Sequence, residues 1–290
     1  MALFYPEEPI PLDQASSFGG DMAGAESNFA IGLSRLGHNV QFMSRVGADP
    51  FGQRIRATLA AEGVDTTAIL TDPLAPTGIF FREWLSDGQR RVFYYRAGSA
   101  ASRMEPEDLS PAAFTGVRVL HLTGITPALS PSCAATVVRA IELAHAAGTL
   151  VSFDPNYRAK LWDEQSARSV LIPLIASSDI VLMGHEDAQA LFGLEEEHLL
   201  AHVAGLGVQT VVLKRAERGV WARAEGYQIE IPADVVNEVV DPVGAGDGFD
   251  AGFLAGWLRG YALEEALRLG ARVGAAAVTS VGDYAGYPRK

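Results

Sequence analysis

The stretch with the strongest chemical character is residues 241–258, which read DPVGAGDGFDAGFLAGWL. Three acids, Asp241, Asp247 and Asp250, stand among glycines where an apolar helical pattern begins. A turn without bulk at a helix start exposes unpaired N–H groups and the positive end of the helix dipole, which attract an anion. An acid at that point suits a base that removes a proton from a hydroxyl attacking phosphorus, while the N–H groups stabilise the transferring phosphoryl group.

The turn in this stretch consists of Gly244, Ala245 and Gly246, and we expect the helix to begin near Asp247. Aspartate is also a common capping residue at the start of a helix. A short Gly-Asp-Gly turn is too weak a signal to decide between a base and a cap, so both interpretations stay open on spacing alone. Asp250 receives no chemical role and is expected at a solvent-facing or structural position.

Three glycines of the helical pattern recur at every fourth residue, namely Gly248, Gly252 and Gly256. Glycine costs about 1 kcal/mol at each site inside a helix compared with alanine. We therefore expect this side of the helix to lie very close to another backbone. The run before the turn, VVNEVV at 235–240, predicts a strand that leads into it.

The whole stretch resembles the signature near the C-terminus of the ribokinase-like (PfkB) carbohydrate kinases. The resemblance implies that Gly244, Ala245 and Gly246 form an anion hole, that Asp247 is the catalytic base, and that Asp241 lies near the nucleotide phosphates and their cations. It also implies ATP and Mg²⁺ as cofactors, with a monovalent cation such as K⁺ near residues 270–283. The family has no Walker-type lysine loop, and none is visible in this sequence.

A second glycine-rich segment, GGDMAGAESNFAIGLSRLG, precedes and includes a predicted helix at 26–37. It resembles the N-terminal signature with which the same family binds sugar. The resemblance places Gly24 and Asn28 at substrate-contacting positions. The alternative is an ordinary helix start with Asn28 exposed.

Two further strings, VFYYRAGSAAS at 92–102 and FDPNYRAKLW at 153–162, resemble the members of this family that phosphorylate 2-keto-3-deoxygluconate. The resemblance implies that Tyr94, Arg96 and Arg158 hold an acid sugar. A keto-acid carboxylate calls for arginine, and an acidic protein must supply that arginine locally. The alternative is that both arginines are solvated surface charges.

The string VVLKRAERG at 211–219 resembles the family's nucleotide-binding strand and turn, which implies that Lys214 and Gly219 bind nucleotide. Asp187 takes the place of the glutamate in the family's N-x-x-E metal and phosphate motif, which reads GHED here. The resemblance therefore assigns Asp187, together with Asp241, to the metal. The departures from the family pattern are Phe80, Gly184, Asp187, Ala216 and Ala271.

From residue 117 onward, short β-rich runs alternate with helical patterns, which predicts a parallel sheet covered by helices on both faces. The expected fold is α/β: a single ribokinase-like domain over 1–290 with a doubly wound, mainly parallel sheet. Residues of about 3–20 and 77–98 are expected to add a small antiparallel β lid, with a hairpin turn at Ser86-Asp87-Gly88-Gln89. The family's first core strand and last helix have no counterpart in the sequence.

Composition limits the partners of the chain. The formal net charge of −12 repels nucleic acid and anionic lipid, and no apolar run is long enough to span a bilayer. A single cysteine, Cys133, and the absence of a signal-peptide pattern favour the reducing cytoplasm. The many aromatic residues in 77–98 predict that the lid covers a ligand or forms a homo-oligomer.

The resemblance therefore implies an ATP-dependent kinase that phosphorylates the terminal hydroxyl of 2-keto-3-deoxygluconate to the 6-phosphate. One alternative changes only the acceptor to a neutral sugar such as fructose or ribose. The other is a degenerate kinase fold that binds sugar or nucleotide without turnover, since fold resemblance alone does not establish activity. Convergence of Arg96 and Arg158 on one pocket would favour the acid sugar.

Overall fold

The structure is a computed structural model that describes residues 1–85 and 89–290. The hairpin turn predicted at 86–89 therefore lies mostly outside the described residues. The α-helices of the described chain are α1 (Ala25–Arg35), α2 (Pro50–Ala61), α3 (Pro131–Ala146), α4 (Glu164–Ala176), α5 (His185–Phe192), α6 (Glu196–Gly205), α7 (Ala245–Leu258) and α8 (Leu263–Ala277). The strands are β1 (Ala2–Pro6), β2 (Phe18–Met22), β3 (Ser44–Gly47), β4 (Ile69–Asp72), β5 (Ile79–Trp84), β6 (Arg90–Tyr95), β7 (Val119–Thr123), β8 (Leu150–Asp154), β9 (Ile180–Gly184), β10 (Thr210–Lys214), β11 (Val220–Ala224) and β12 (Tyr227–Ile231).

The central sheet has six strands in the order β12-β11-β10-β9-β8-β7. The four strands β7 to β10 are parallel, and β11 and β12 add an antiparallel hairpin at one edge. This arrangement confirms the predicted mainly parallel sheet. Because parallel strands all end at the same edge, the residues that follow them meet there.

Helices cover both faces of the central sheet. Alternate residues of β9 point to opposite sides: Ile180 and Leu182 pack with α1, α7 and α8, whereas Val181 and Met183 pack with α3 to α6. The period of two residues in a strand produces this division. Each face therefore has its own apolar core, as expected for a doubly wound sheet.

The second sheet has four strands in the order β2-β1-β5-β6 and comes from the two segments expected to form the lid. The pairs β1–β2 and β5–β6 are antiparallel, but β1 and β5 are parallel. The expectation of a wholly antiparallel sheet was therefore wrong at its centre. β2 brings the chain back to the end from which β1 started, and the connection through α1, β3, α2 and β4 leaves and returns at that end, so β5 begins beside Ala2 and runs parallel to β1.

A third, two-stranded parallel sheet joins β3 to β4 across α2. Asp49 caps α2 by accepting a hydrogen bond from the N–H of Gly52, and Pro50 takes the first helical position, where its missing N–H costs nothing. The sequence analysis did not predict this unit. In the described residues no helix is both long and apolar enough to cross a membrane.

The strand predicted at 235–240 is absent, because this segment pairs with no strand of the described chain. Val235 and Val239 are 94% and 59% exposed, so their side chains pack against nothing that would hold an extended ladder. Valine enrichment indicates a strand only where packing partners exist. The following helix α7 begins at Ala245, two residues earlier than expected.

Close packing of α7 against α8 explains two of its repeated glycines. A Cβ at Gly252 would lie 2.8 Å from the carbonyl oxygen of Leu269, and one at Gly256 would lie 2.9 Å from the Cα of Ala266. At Gly248 the obstacle is instead the ring of Tyr287, 2.7 Å away. The predicted approach of another backbone is thus correct for the later two glycines.

Candidate active site at the carboxyl edge of the central sheet

The turn before α7 has the geometry of an anion site. Gly244 is the N-cap and has a φ of 82°, in the left-handed region that favours glycine. A Cβ at this position would overlap the carbonyl oxygen of Asp283, so both backbone conformation and space require glycine. No side chain among the described residues caps the helix, and the first N–H groups of a helix have no partners within it. These N–H groups are therefore the ones that the sequence assigned to an anion.

Asp247 lies in the first turn of α7 and is not its cap. Its Oδ2 accepts a hydrogen bond from Nδ2 of Asn28 at 2.8 Å. Burial raises the pKa of Asp247 to about 6, with smaller increases from the charges of Asp154 and Asp283. The hydrogen bond from Asn28 and the charge of Lys214 act in the opposite direction. A carboxylate with a pKa close to neutrality is suited to general-base chemistry.

Asn28 is buried at the start of α1, not exposed as the alternative had it. Its Nδ2 donates to Asp247 and also lies 3.4 Å from Oδ2 of Asp283. Within the described chain its Oδ1 has no hydrogen-bond partner, although it is buried. Such an unpaired oxygen is costly unless a ligand donates to it. Gly24, the N-cap of α1, accepts a hydrogen bond from the N–H of Asn28 and lines a cleft, although Asn28 itself is not part of the cleft lining.

Arg96 lines the same cleft as Gly24, and its guanidinium lies over the ring of Tyr94 at 4.2 Å. Burial lowers the pKa of Arg96, Tyr94 and Glu26 raise it, and the nearby charge of Arg158 lowers it. Arg158 itself is exposed and is not part of the cleft lining. The charge of Arg158 therefore acts on Arg96, but of these two arginines only Arg96 lines the cleft, so the convergence on one pocket that would favour an acid sugar is not seen.

Lys214 ends β10 and is held by two buried acids. Its Nζ lies 3.0 Å from Oδ2 of Asp154 and 2.9 and 3.0 Å from the two oxygens of Asp250. Burial alone would lower the pKa of Lys214, but the charges of both acids raise it above its ordinary value. Asp250 is 1% exposed, so of the two positions expected for it the solvent-facing one is excluded and the structural one remains. A carboxylate can occupy this buried position among the apolar residues of α7 because Lys214 pairs with it.

Asp187 lies in the first turn of α5, after the N-cap Gly184. Burial and the neighbouring charge of Asp154 raise its pKa to about 7, against the opposing effects of Lys214 and Arg158. Its Oδ1 accepts a hydrogen bond from the N–H of Tyr157 at 3.1 Å. A nearby cation would favour the charged form of this carboxylate.

Oxygen atoms near Asp187 suit a magnesium ion. Asn156 precedes the residue that donates to Asp187, has a φ of 40°, and carries a buried Oδ1 without a hydrogen-bond partner in the described chain. No group of three or more histidine, cysteine or acidic side chains is arranged to hold a metal among these residues. Magnesium nevertheless needs only one or two carboxylates when it is bound with substrate phosphates. Asp187 and Asn156 therefore fit this ion, and the sequence analysis missed Asn156 although its motif FDPNYR was noted.

Two arginines surround the carboxylate of Asp241. It is fully buried, and its two oxygens face Arg90 at 3.0 Å and Arg82 at 3.5 Å. Arg82 also binds Asp283 at 2.6 Å. Two guanidinium groups thus already balance these carboxylates and would repel an added ion. Oδ2 of Asp241 has no hydrogen-bond partner in the described chain, so the assignments of Asp241 to the metal and of a monovalent cation near residues 270–283 stay predictions.

Gly219 ends the turn after β10 with a φ of 83°, and a Cβ there would overlap the carbonyl oxygen of Ile231. Glycine is therefore required for the close approach of this turn to β12. Ala216, where the family more often has glycine, also has a left-handed φ of 51°. This turn lies directly after Lys214, at the same edge as the other site residues.

Comparison with known proteins gives the chain a family. The model of the "pfkB family carbohydrate kinase" group matches residues 3–290. A 2-dehydro-3-deoxygluconokinase from Thermoproteus tenax is 36% identical over 244 residues, which cover 82% of this chain and 74% of that protein. Fructokinase-1 from Zea mays is 30% identical over 243 residues, which cover 83% of this chain and 75% of that protein.

A solved structure supports the fold and the nucleotide. A putative Ribokinase II from E. coli in complex with ATP and Mg²⁺ superimposes with a TM-score of 0.92 at 28% identity. The match covers 99% of this chain and 93% of that protein. A kinase of this fold therefore binds ATP and Mg²⁺.

Proposed function

Because the chain belongs to the pfkB family of carbohydrate kinases, we propose that it transfers the terminal phosphoryl group of ATP to the terminal hydroxyl of 2-dehydro-3-deoxygluconate, also called 2-keto-3-deoxygluconate, giving the 6-phosphate. The observation that carries the choice of sugar is Arg96 in the wall of the cleft, with Arg158 near enough for its charge to act on Arg96. An arginine at this place suits a carboxylate, which a neutral ketose lacks. The relative from Thermoproteus tenax supports the same choice.

Asp247 acts as the base in the proposed reaction. Its carboxylate takes the proton of the terminal hydroxyl as the oxygen of that hydroxyl attacks the phosphorus atom, and the bond to the ADP oxygen breaks. Asn28 fixes the carboxylate through its Nδ2 and offers its free Oδ1 to a sugar hydroxyl. The N–H groups that follow Gly244 stabilise the negative charge of the transferring phosphoryl group.

The remaining site residues hold the nucleotide and its ion. Lys214 and the turn that ends at Gly219 bind nucleotide at the carboxyl edge of β10. Asp187 and Asn156 would hold Mg²⁺, which when bound neutralises phosphate charge and orients the phosphates. Tyr94 carries the guanidinium of Arg96 on its ring and fixes its direction toward the sugar acid.

The four-stranded sheet is proposed to cover the sugar and to pair with a second copy of the chain. Its outer aromatic residues are partly exposed, with Phe18, Phe93 and Tyr95 at 40%, 40% and 64%. Exposed apolar patches of this kind mark interaction surfaces. Sedimentation velocity should give the mass of two chains, and Tyr95→Lys should shift the protein to one chain. A monomeric wild-type protein at all concentrations contradicts the pairing.

A neutral sugar is the second candidate, favoured by the fructokinase from Zea mays among the relatives. A neutral acceptor differs from the first candidate in lacking a carboxylate. A degenerate fold without turnover is disfavoured, because a pure binder has no use for a buried carboxylate with a raised pKa beside a free anion site.

An ADP-release assay across keto acids and neutral ketoses tests the sugar. We expect kcat/KM to be highest for 2-keto-3-deoxygluconate, and Arg158→Ala to raise KM for the acid far more than for fructose. The matched control is Arg168→Ala, which removes an exposed arginine of α4 that pairs with Glu164. Equal effects of Arg158→Ala on both sugars, or a higher kcat/KM for fructose in the wild type, would overturn the choice of acid.

A further inference from the structure

Asp250 is a buried acid to which the proposed reaction gives no task. It lies on α7, three residues after Asp247, and its side chain is 1% exposed. Both of its oxygens accept from Nζ of Lys214, which donates to Asp154 as well. Burial raises the pKa of Asp250 well above its ordinary value, and the charge of Lys214 opposes that rise, so the charged form of this acid depends on the lysine.

The ammonium held in this way lies beside the catalytic turn. A Cβ built on Gly246 would be 3.7 Å from Nζ of Lys214. Asp154 approaches the ammonium from the end of β8, and Asp250 approaches it from the helix that the turn begins. Residues of two elements, β8 and α7, therefore hold the ammonium at the edge of the central sheet where the phosphates are expected.

Lysine has a flexible four-carbon side chain and a strongly hydrated charge, so its position depends on its acceptors. Without Asp250, the ammonium of Lys214 would have only the acceptor that Asp154 provides from β8. The two oxygens of Asp250 provide the acceptors from α7. The ammonium then has a fixed place relative to Gly246 because Asp250 belongs to the same helix as that glycine.

We propose that Asp250 is a positioning residue that holds the ammonium of Lys214 beside Gly246, where the ammonium meets the phosphates of the nucleotide. The proposal rests on phosphoryl transfer from ATP, as in the proposed function, but not on which sugar accepts the phosphoryl group. Asp250 itself touches neither nucleotide nor sugar. Its effect is transmitted through Lys214.

The charge of Lys214 also acts on the base. It lowers the pKa of Asp247, whereas burial and the charges of Asp154 and Asp283 raise it, and Asn28 donates a hydrogen bond that lowers it. If the ammonium of Lys214 moved away, it would stabilise the charged form of Asp247 less, and the pKa of Asp247 would rise. The acid limb of the kcat profile should then move to higher pH, which a purely structural role of Asp250 would not cause.

The first test compares Asp250→Val with Asp250→Asn, using whichever sugar the wild-type enzyme turns over. In Asp250→Val we expect kcat/KM for ATP to fall about 10- to 100-fold, the effect of a misplaced group near the reacting atoms, with little change in KM for the sugar. Asp250→Asn should retain more activity, because its amide oxygen still accepts from Lys214. The matched control is Asp72→Asn, which removes a buried aspartate paired with Arg103 and should lower only the melting temperature.

The second test is a double-mutant cycle with Lys214→Met. Once the ammonium is gone, adding the Asp250 substitution should cause no further loss of kcat/KM for ATP. Calorimetry supplies a readout without any sugar: Asp250→Asn should weaken ADP binding and leave adenosine binding unchanged. If Asp250→Val does not fold, Asp250→Asn carries the cycle.

Two results would overturn the proposal. One is that both Asp250 variants behave like Asp72→Asn, with a lower melting temperature but unchanged ATP kinetics and pH profile. The other is that the losses from Lys214→Met and the Asp250 substitution multiply. A failure of the sugar assignment alone leaves the ADP and adenosine measurements intact, so the two failures are distinguishable.

Discussion

Asp247 owes its chemistry to its surroundings rather than to its own type. Burial raises its pKa to about 6, and the hydrogen bond from Asn28 fixes one of its oxygens. The group is therefore mostly charged at neutral pH and protonated below pH 6. A protonated carboxyl cannot accept the proton of a sugar hydroxyl, so activity should fall on the acid side of this value.

The substitution Asp247→Asn tests this base. Asparagine keeps an oxygen that can accept from Asn28, so nucleotide binding should persist, whereas kcat should fall about 10²- to 10⁴-fold because no base remains. Rate measurements from pH 5 to 9 should also show an acid limb near pH 6 in the wild type. Wild-type turnover in the variant, or a kcat independent of pH in this range, would contradict the assignment.

The sequence named most residues of the candidate site because short motifs fix residues that are close along the chain. It could not show that Asp241 faces two arginines, since Arg82 and Arg90 are more than 150 positions away in sequence. It could not show either that Asp250 of α7 pairs with Lys214, because that lysine lies on β10. A pattern within one segment contains no information about side-chain contacts with residues far away in the sequence.

At the scale of elements, patterns with a clear period were predicted well. The central sheet was predicted from the alternation of strand and helix patterns after residue 117, because buried parallel strands appear in the sequence as apolar runs. The valine-rich run 235–240 failed, since it lies exposed beside no strand of the described chain. The start of α7 was placed late because its N-cap is a glycine without a capping side chain.

The turn between β10 and β11 stores backbone strain at Ala216, which has a φ of 51°. A left-handed conformation costs a residue with a Cβ roughly 1–2 kcal/mol, more than the unfolded-state entropy that glycine adds. Ala216→Gly should therefore raise the free energy of unfolding by about 0.5–1 kcal/mol in urea titrations.

The matched control for this substitution is Ala147→Gly, at an exposed helix end with a φ of −89°. No strain is relieved there, so the control should lower the free energy of unfolding. A loss of stability in Ala216→Gly equal to that of the control would show that Ala216 is not strained.

At the scale of the whole molecule, charged side chains connect the four-stranded sheet to the turn before α7. Arg82 of β5 and Arg90 of β6 reach Asp241, which precedes this turn in sequence, and Arg82 also reaches Asp283, whose carbonyl oxygen lies against Gly244. The same Asp283 lies 3.4 Å from Nδ2 of Asn28, which donates to the base. The four-stranded sheet is thus connected by hydrogen bonds to the carboxylate proposed as the base.

These arginines predict how the enzyme responds to monovalent cations. Because guanidinium groups already balance Asp241, turnover and melting temperature should be the same in KCl as in tetramethylammonium chloride at equal ionic strength. Arg90→Gln removes one of these charges and should make both quantities rise with K⁺. The neighbouring Arg91, with a side chain 55% exposed, provides the control Arg91→Gln, which should stay indifferent to K⁺. Strong stimulation of the wild type by K⁺ would show that an ion binds despite the arginines, and would restore the cation site that the sequence motif implied.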